Sequence, residues 1–440
     1  MTNVVVFLTD QQRWDTMGLH GNPLQLTPNL DRFAERGTFC EYAFTNQPVC
    51  APTRACLQTG RWPTDTGVYR NGIPLPADAD TIARRFAAGG YQTAYIGKWH
   101  LAEMDDEPVP PELRGGYQDW FAADAVELMS DAYDAKLYDG DGVLHELPGY
   151  RSDAFVDAAI RWLSRPHDRP FLLFVSVIEP HHQNSRDAYP APDGYRERYE
   201  NRWVPPDLAA LGGSTQQHLG GYWGMVKRVD EGFGRLLDAL RSLGRLDDTV
   251  VCYTTDHGCH FKTRNGEYKR SAHDASIRIP LAFHGPGFAG GGRRPELVSL
   301  LDVAPTLLDA AGLPHDDLPG RSVRDAVRGA TDWPEEVYVQ ISESQVGRAI
   351  RTRDYTYAVT APDADGWQDP AATRYVEDVL YDNVSDPHQL ANLAGLASHR
   401  EVADQLRDRL LARLAAAGEA AATIEPAAPR SAGQRRATPL

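Results

Sequence analysis

The densest chemistry in the chain lies in Cys50-Ala51-Pro52-Thr53-Arg54, which runs on into Ala55-Cys56-Leu57-Gln58-Thr59-Gly60-Arg61. Pro52 has a fixed φ and no N–H to leave unpaired, so it suits the first turn of a helix. Gly60 suits a helix end, and the pair predicts a helix to about Thr59 with Cys50 at its start. A side chain there faces unpaired backbone N–H groups and the positive end of the helix dipole, where an anion is held at least cost. Arg54, one turn in, can bring a planar guanidinium to the same spot. An isolated cysteine is more often simply buried, so the weight falls on what else the chain carries.

Other reactive groups recur at the ends of apolar runs. Asp10 follows Val4–Leu8, and Lys98 and His100 follow Gln92–Ile96. Glu179, His181 and His182 follow Phe171–Ile178, and Asp256 and His257 follow Thr249–Thr254. Carboxylates at strand ends suit a hard divalent cation, and the His257 imidazole leaves room for a transition metal. Lys98 and His100 lie two apart on an extended segment, which would point both the same way.

These positions require a scaffold. Val4–Leu8 is a continuous apolar run, the pattern of a strand covered on both faces. Helices are expected over Pro28–Arg36 behind Thr27 as N-cap, about Asp80–Ala88, from Ser152 as cap to Leu163, Thr215–Leu243 and Val303–Ala311 closed by Gly312. Thr38–Phe44 and Ile279–His284 read as further strands, and residues 102–150 as long loops rich in Asp, Pro and Gly. Helices alternating with apolar strands imply an α/β fold with a large, mostly parallel sheet sandwiched by helices. Ligands bind beyond the carboxyl ends of such strands, so one shared site is expected there. After about residue 330 the runs alternate as antiparallel strands and then a helix from about Ser398. The expected division is residues 1–330 as an α/β unit, 331–416 as a smaller α+β unit on an antiparallel sheet, and 417–440 as a flexible tail.

Forty-two per cent hydrophobic residues is ample for the core of a 440-residue chain. No apolar run reaches the length that crosses a bilayer. The formal charge of −16 argues against nucleic acid or an anionic membrane surface as partner. An anionic substrate would need its own local cations. The first nine residues lack the basic region and cleavage site of an export signal. The five cysteines, Cys40, Cys50, Cys56, Cys252 and Cys259, show no framework spacing. A cytoplasmic location is expected on both grounds.

The twelve residues from Cys50 to Arg61 resemble the signature of the sulfatase family, in the alkaline phosphatase superfamily, and further family blocks appear in the expected order. In that family the cysteine is oxidised to formylglycine, whose hydrated aldehyde is the nucleophile. The resemblance therefore implies an alkaline-phosphatase-like fold and maturation by a formylglycine-generating enzyme. It implies a divalent metal at Asp10, Gln11, residue 50, Asp256 and His257, with Ca2+ the usual occupant and Mn2+ or Mg2+ as alternatives. The first metal block commonly reads Asp-Asp. Here it reads Asp10-Gln11, as in the branch that resembles phosphonate monoester hydrolases and choline sulfatases.

The same resemblance gives Arg54, Lys98 and Lys269 the task of stabilising charge on sulfate oxygens. It makes His100 the group that takes the proton of the formylglycine diol. His181 becomes the leaving-group acid, with His182 a rival. Several family members have His-x-Pro-His where this chain has Glu179-Pro180-His181, so Glu179 is expected to face substrate. Arg13, Trp14, Arg70, Asn71, His182, Gln183, Trp223, His260 and Arg264 lie beside the motifs as candidate recognition residues. The expected activity is hydrolysis of a small organic or sugar sulfate monoester. The alternatives are a phosphonate monoester or phosphodiester hydrolase on the same site and a silent sulfate-ester-binding protein. A homo-oligomer is compatible with the sequence.

Overall fold

The computed structural model describes residues 2–431. Val4 to Leu8 have essentially no solvent exposure, and alternate side chains leave a strand on opposite faces. Val4, Val6 and Leu8 share one core with Ala51 and Ala55, Phe86, and Leu307 and Leu308. Those partners belong to the helices Cys50–Thr59, Ile82–Ala88 and Val303–Ala311. Val5 and Phe7 share the opposite core with Phe33, Phe155 and Phe233, from the helices Pro28–Arg36, Arg151–Leu163 and Thr215–Ser242. Burying each such side chain contributes about 1.5–3 kcal/mol, and together they fix the sheet between two helical layers.

The main sheet has eleven strands among the described residues: β1 (Asn3–Thr9), β2 (Thr38–Phe44), β3 (Gln92–Lys98), β4 (Asp119–Ala123), β5 (Ala135–Asp139), β6 (Leu144–Leu147), β7 (Phe171–Ser176), β8 (Thr249–Thr255), β9 (Arg278–Ile279), β10 (Leu281–His284) and β11 (Gly292–Ser299). Their order is β11-β2-β10-β8-β1-β7-β3-β4-β5-β6, with β9 alongside β2. The run β8-β1-β7-β3-β4 is parallel throughout. Leu8 pairs with Ser176, Gly97 with Ser176 and Thr9 with Thr255. The segments bearing Asp256, Asp10, His181 and Lys98 therefore leave the sheet along one edge.

A second sheet holds β12 (Glu336–Ile341), β13 (Gly347–Thr352), β14 (Tyr355–Thr360), β15 (Arg374–Asp382) and β16 (Thr423–Glu425). The first four pair antiparallel, and β16 joins β15 in parallel. Leu406, Leu410 and Leu414 of the helix Arg400–Ala416 cover one face. Val337, Val339 and Ile341 on the other pack with Phe44 and Leu297 of the main sheet and with Ile277, just before β9.

Three sequence expectations change. Residues 102–150 are not only loops, since β4, β5 and β6 extend the main sheet within them; the Asp119–Ala123 run is apolar but only five residues long, too short to stand out amid its neighbours. Ser152 is not a cap: the helix begins at Arg151 behind Tyr150, and the Ser152 hydroxyl is buried without a partner. In the expected tail, Thr423–Glu425 is paired to the second sheet. Residues 432–440 lie outside the described residues.

Candidate active site

Cys50 opens its helix as expected, with Gly60 in the left-handed conformation at the far end. The first free N–H of this helix is met from a distance, where Asn71 Oδ1 accepts from the Ala51 N–H at 3.0 Å. Asn71 is held in turn by its own N–H, which donates to Glu343 Oε1 at 2.8 Å. Asn71 thus fixes the start of the Cys50 helix and has this work in place of the recognition role expected of it.

Around the Cys50 sulfur lie Lys269 Nζ at 2.8 Å, His257 Nε2 at 3.3 Å and Asp10 Oδ1 at 3.8 Å. Burial alone would raise the thiol. Lys269, Lys98, His257 and His100 instead bring it well below an ordinary cysteine. It occupies the place where an oxidised residue 50 would carry its oxygen.

Asp10 is buried and bridged by Lys98 Nζ at 2.8 Å and Arg54 Nη2 at 3.0 Å. Burial and the neighbouring Cys50 sulfur push its carboxyl up, but Lys98, His181 and Arg54 hold it well below the usual range. Asp256 Oδ1 accepts from the N–H of Gln11 at 3.1 Å and of His257 at 2.9 Å. Its Oδ2 is buried and, among the described residues, has no hydrogen-bond partner, with Arg54 Nη2 3.2 Å away. Burial and Asp10 raise this second carboxyl.

Asp10, Cys50, Asp256 and His257 each present one donor atom within 4.8 Å of the others. His257 Nδ1 lies 3.0 Å from the Gly258 carbonyl, which places the ring proton there and leaves the Nε2 lone pair for the cluster. Asp10, the orphaned Asp256 Oδ2 and the His257 Nε2 lone pair converge on residue 50, and oxygen and imidazole donors gathered in this way fit a divalent cation. The expected ligand Gln11 turns its amide oxygen to the His182 N–H at 2.9 Å.

Two glycines are required by geometry. Gly97 has φ +108°, and a Cβ there would collide with the Ser176 carbonyl of β7. Gly258, after His257, leaves room for the Ala275 carbonyl. Gln11 and His100 also take positive φ, at +69° and +60°, so the chain turns sharply just past β1 and β3. His100 therefore reaches residue 50 through this turn, not by strand alternation. Burial and Lys98 oppose charge on its ring, yet Glu127 and the Cys50 sulfur raise it above an ordinary histidine.

Several expected residues have other work. Arg54 donates to the Lys98 carbonyl and Ser176 Oγ, each at 2.9 Å, besides both carboxylates; it frames the cluster and has only Nε free. Glu179 is sealed against Arg151 at 2.9 Å and does not face substrate. Arg13 is spent on Asp15, Asp207 and the Cys259 carbonyl. Arg278 stacks on Trp14 at 3.9 Å. Arg264 reaches the carbonyls of His388 and Gln389, Trp223 is buried beside Trp203, and His260 Nε2 lies 3.0 Å from the Lys269 carbonyl. Arg70 donates to the Asn71 carbonyl. His182, the rival acid, is occupied on both ring nitrogens by Asn184, Asp187 and Tyr268.

Glu127 was missed. It pairs with Lys98 at 2.8 Å and lies 3.9 Å from His100, and Lys98, His100 and His181 overcome its burial to take the carboxyl down to about 2. The signal was the short run Asp119–Ala123, a strand whose exit delivers this acid.

A family model described as Sulfatase matches residues 2–313, and one described as N-sulphoglucosamine sulphohydrolase, C-terminal, matches residues 266–416. The chain belongs to the sulfatase family. An ulvan-active sulfatase of Formosa agariphila is 31% identical over 95% of this chain and 82% of its own length. An N-acetylglucosamine-6-O-sulfatase of Bacteroides thetaiotaomicron is 25% identical over 93% of this chain and 85% of its own. The crystal structure of a phosphonate monoester hydrolase of Agrobacterium radiobacter superposes with a TM-score of 0.74 at 22% identity, covering 95% of this chain and 96% of that one. This sulfatase is accordingly a sulfuric ester hydrolase of the alkaline phosphatase superfamily, and formylglycine and a divalent metal are general to its family. Among the described residues no helix is long and apolar enough to cross a membrane.

Proposed function

We propose that this sulfatase hydrolyses a sulfate monoester on a carbohydrate or small organic alcohol, using formylglycine made from Cys50 by a formylglycine-generating enzyme. One observation carries the reading: a buried residue 50 with Lys269 at 2.8 Å and His257 at 3.3 Å, in one donor cluster with Asp10 and Asp256. The names of the two carbohydrate-active relatives support a sugar as the alcohol.

A formylglycine diol would supply one hydroxyl for attack and a second with which to expel sulfate. A bound divalent cation would supply charge that favours the alkoxide and neutralises sulfate. Asp10 and Asp256 offer the oxygen donors that Ca2+ prefers; His257 makes Mn2+ the competitor. The remaining steps fall to the chain. Lys269 faces residue 50 directly and would stabilise negative charge on its oxygen and on the sulfate. Lys98, pinned between Asp10 and Glu127, adds fixed positive charge that needs no rearrangement. Arg54 keeps the two carboxylates in register.

His181 Nδ1 lies 2.6 Å from the His182 carbonyl, which takes the Nδ1–H and orients the ring; a second proton on Nε2, in the imidazolium form, is the one that would pass to the departing oxygen. His100, with Glu127 behind it, is placed to take the proton of the second hydroxyl. The decisive experiment compares kcat/KM for matched nitrophenyl sulfate and phenylphosphonate monoesters, followed by a panel of sulfated sugars. The proposal expects sulfate to be preferred; a large preference for phosphorus replaces it with the phosphonate reading. The peptide containing residue 50 should be about 18 Da lighter than the cysteine form, the difference between CH2SH and CHO and distinct from any thiol oxidation. An unmodified thiol in active protein would sink the proposal.

A further inference from the structure

A second group of ligand-type side chains lies outside the Cys50 cluster. His182, Asp187 and His218 each present one donor atom within 4.8 Å of the others. They come from separate segments, since His182 and Asp187 lie in the loop after β7 and His218 lies in the first turn of the helix Thr215–Ser242. His182 Nδ1 lies 2.9 Å from Asn184 Oδ1, which accepts its proton and leaves Nε2 as a lone pair. That lone pair stands 2.9 Å from Asp187 Oδ1, which is itself an acceptor. The Tyr268 hydroxyl is 2.9 Å from His182 Nε2 and 2.8 Å from Asp187 Oδ1; it has one proton for two acceptors. His218 Nε2 is 3.7 Å from the same carboxylate oxygen and, among the described residues, has no hydrogen-bond partner. His218 is only 3% exposed, so water does not compensate it. The arrangement gathers more acceptors than protons.

We infer that His182, His218 and Asp187 form a second metal site, suited to a zinc-class transition ion and separate from the Asp10–Asp256 cluster. Two imidazoles and a carboxylate are the donor types such an ion takes, and neighbouring donors around tetrahedral zinc stand roughly 3.3 Å apart. The carboxylate-to-nitrogen separations of 2.9 and 3.7 Å lie on either side of that value. The Tyr268 hydroxyl or a water completes the shell. Asp187 is exposed, which gives the ion a way in. Burial lowers both imidazoles below the usual histidine range, His218 to about 4, so no proton has to be displaced at neutral pH. Lys262 Nζ stacks 4.8 Å from the Tyr268 ring centre and opposes a cation, which the Asp187 carboxylate offsets.

The ion would tie the loop after β7 to the long helix and to the loop of Tyr268. His181 and Lys269 each sit one residue from a group in this site. The metal is therefore a positioning device for both and makes no contact with the reacting atoms.

The test uses untagged full-length protein saturated with Ca2+, titrated with Co2+ by visible absorption and with Zn2+ by calorimetry. The expected result is one tetrahedral Co2+ site displaced by Zn2+, with a thermal midpoint that rises with Zn2+. D187N and H218Q should each weaken binding at least about tenfold, while Cys50→Ala leaves the Co2+ spectrum unchanged. D187N changes an exposed side chain and keeps the test decisive if H218Q misfolds. No binding beyond the Ca2+-saturated protein, binding indifferent to D187N, or a spectrum lost with Cys50→Ala would each overturn the inference. None of these readouts uses turnover, so the sulfatase reading stands or falls separately.

Discussion

Two sets of buried charge can be compared, the cluster around Cys50 and the ion pairs on the two faces of the second sheet. In the second sheet the pairs are closed. Arg351 Nε and Nη2 meet Asp274 Oδ1 and Oδ2 at 2.8 and 2.9 Å, and Arg348 Nε reaches both oxygens of Glu419 at 2.9 Å. Around Cys50 the bonds are shared and incomplete: Asp10 Oδ2 serves two cations, while Asp256 Oδ2, Glu127 Oε2, Arg54 Nε and His100 Nδ1 are buried without partners. Charges meant to hold a fold satisfy one another. Charges meant to act on something else are kept partly unsatisfied, and the cost is met by the surrounding core.

The contrast can be broken by substitution. Cys50→Ala should abolish turnover, a loss on the order of 10⁴-fold or more as for other removed nucleophiles, with the thermal midpoint within a few degrees of the parent. Arg351→Ala should do the reverse. Stranding Asp274 in the interior should cost about 3–5 kcal/mol in denaturant unfolding, with kcat of the folded fraction unchanged; a fall in kcat would show the two clusters to be one. His181→Ala sharpens the active cluster. On alkyl esters the loss should be about 10²–10⁴-fold, and on activated aryl esters much smaller; equal losses would remove His181 from the acid role.

The smallest effect concerns pH. Burial raises the Asp230 carboxyl from 3.8 to about 6, although it accepts from the N–H groups of Asn29 and Leu30. The folded state then binds more protons than the unfolded one between those values. Asp230 accordingly contributes stability that is present below pH 3.8 and lost as pH rises through about 6. Asp230→Asn should flatten that slope, by about 1–3 kcal/mol across the window.

Much of this was legible before any coordinates. The runs of β1 and β8 are rich in β-branched residues and that of β7 is apolar over five residues, so both their burial and the grouping of Asp10, His181 and Asp256 at one edge follow from pattern. The Cys50 helix carries its own start and stop in Pro52 and Gly60. Glu127 was hidden because the strand that delivers it is only five residues long, between loops of similar composition. The recognition loops were misread for a different reason. Arg13, Asn71, Glu179 and Arg264 find partners between 28 and 272 residues away, and no local spacing reveals such pairings. His100 was given the right neighbour by the wrong geometry, because a left-handed turn is not written in alternation.

The strand end Ile341-Ser342-Glu343 sits against the residues that lead into Cys50: Gln340 N–H donates to the Asn46 carbonyl at 2.8 Å and Gln47 Nε2 to Ser342 Oγ at 2.6 Å. Residue 50 is only 1% exposed behind them. If, as proposed, another enzyme oxidises this residue, that enzyme would have to reach it before the second sheet docks. The potency of a preparation would then record how it was synthesised, and two batches identical in sequence and shape could differ entirely in their ability to work.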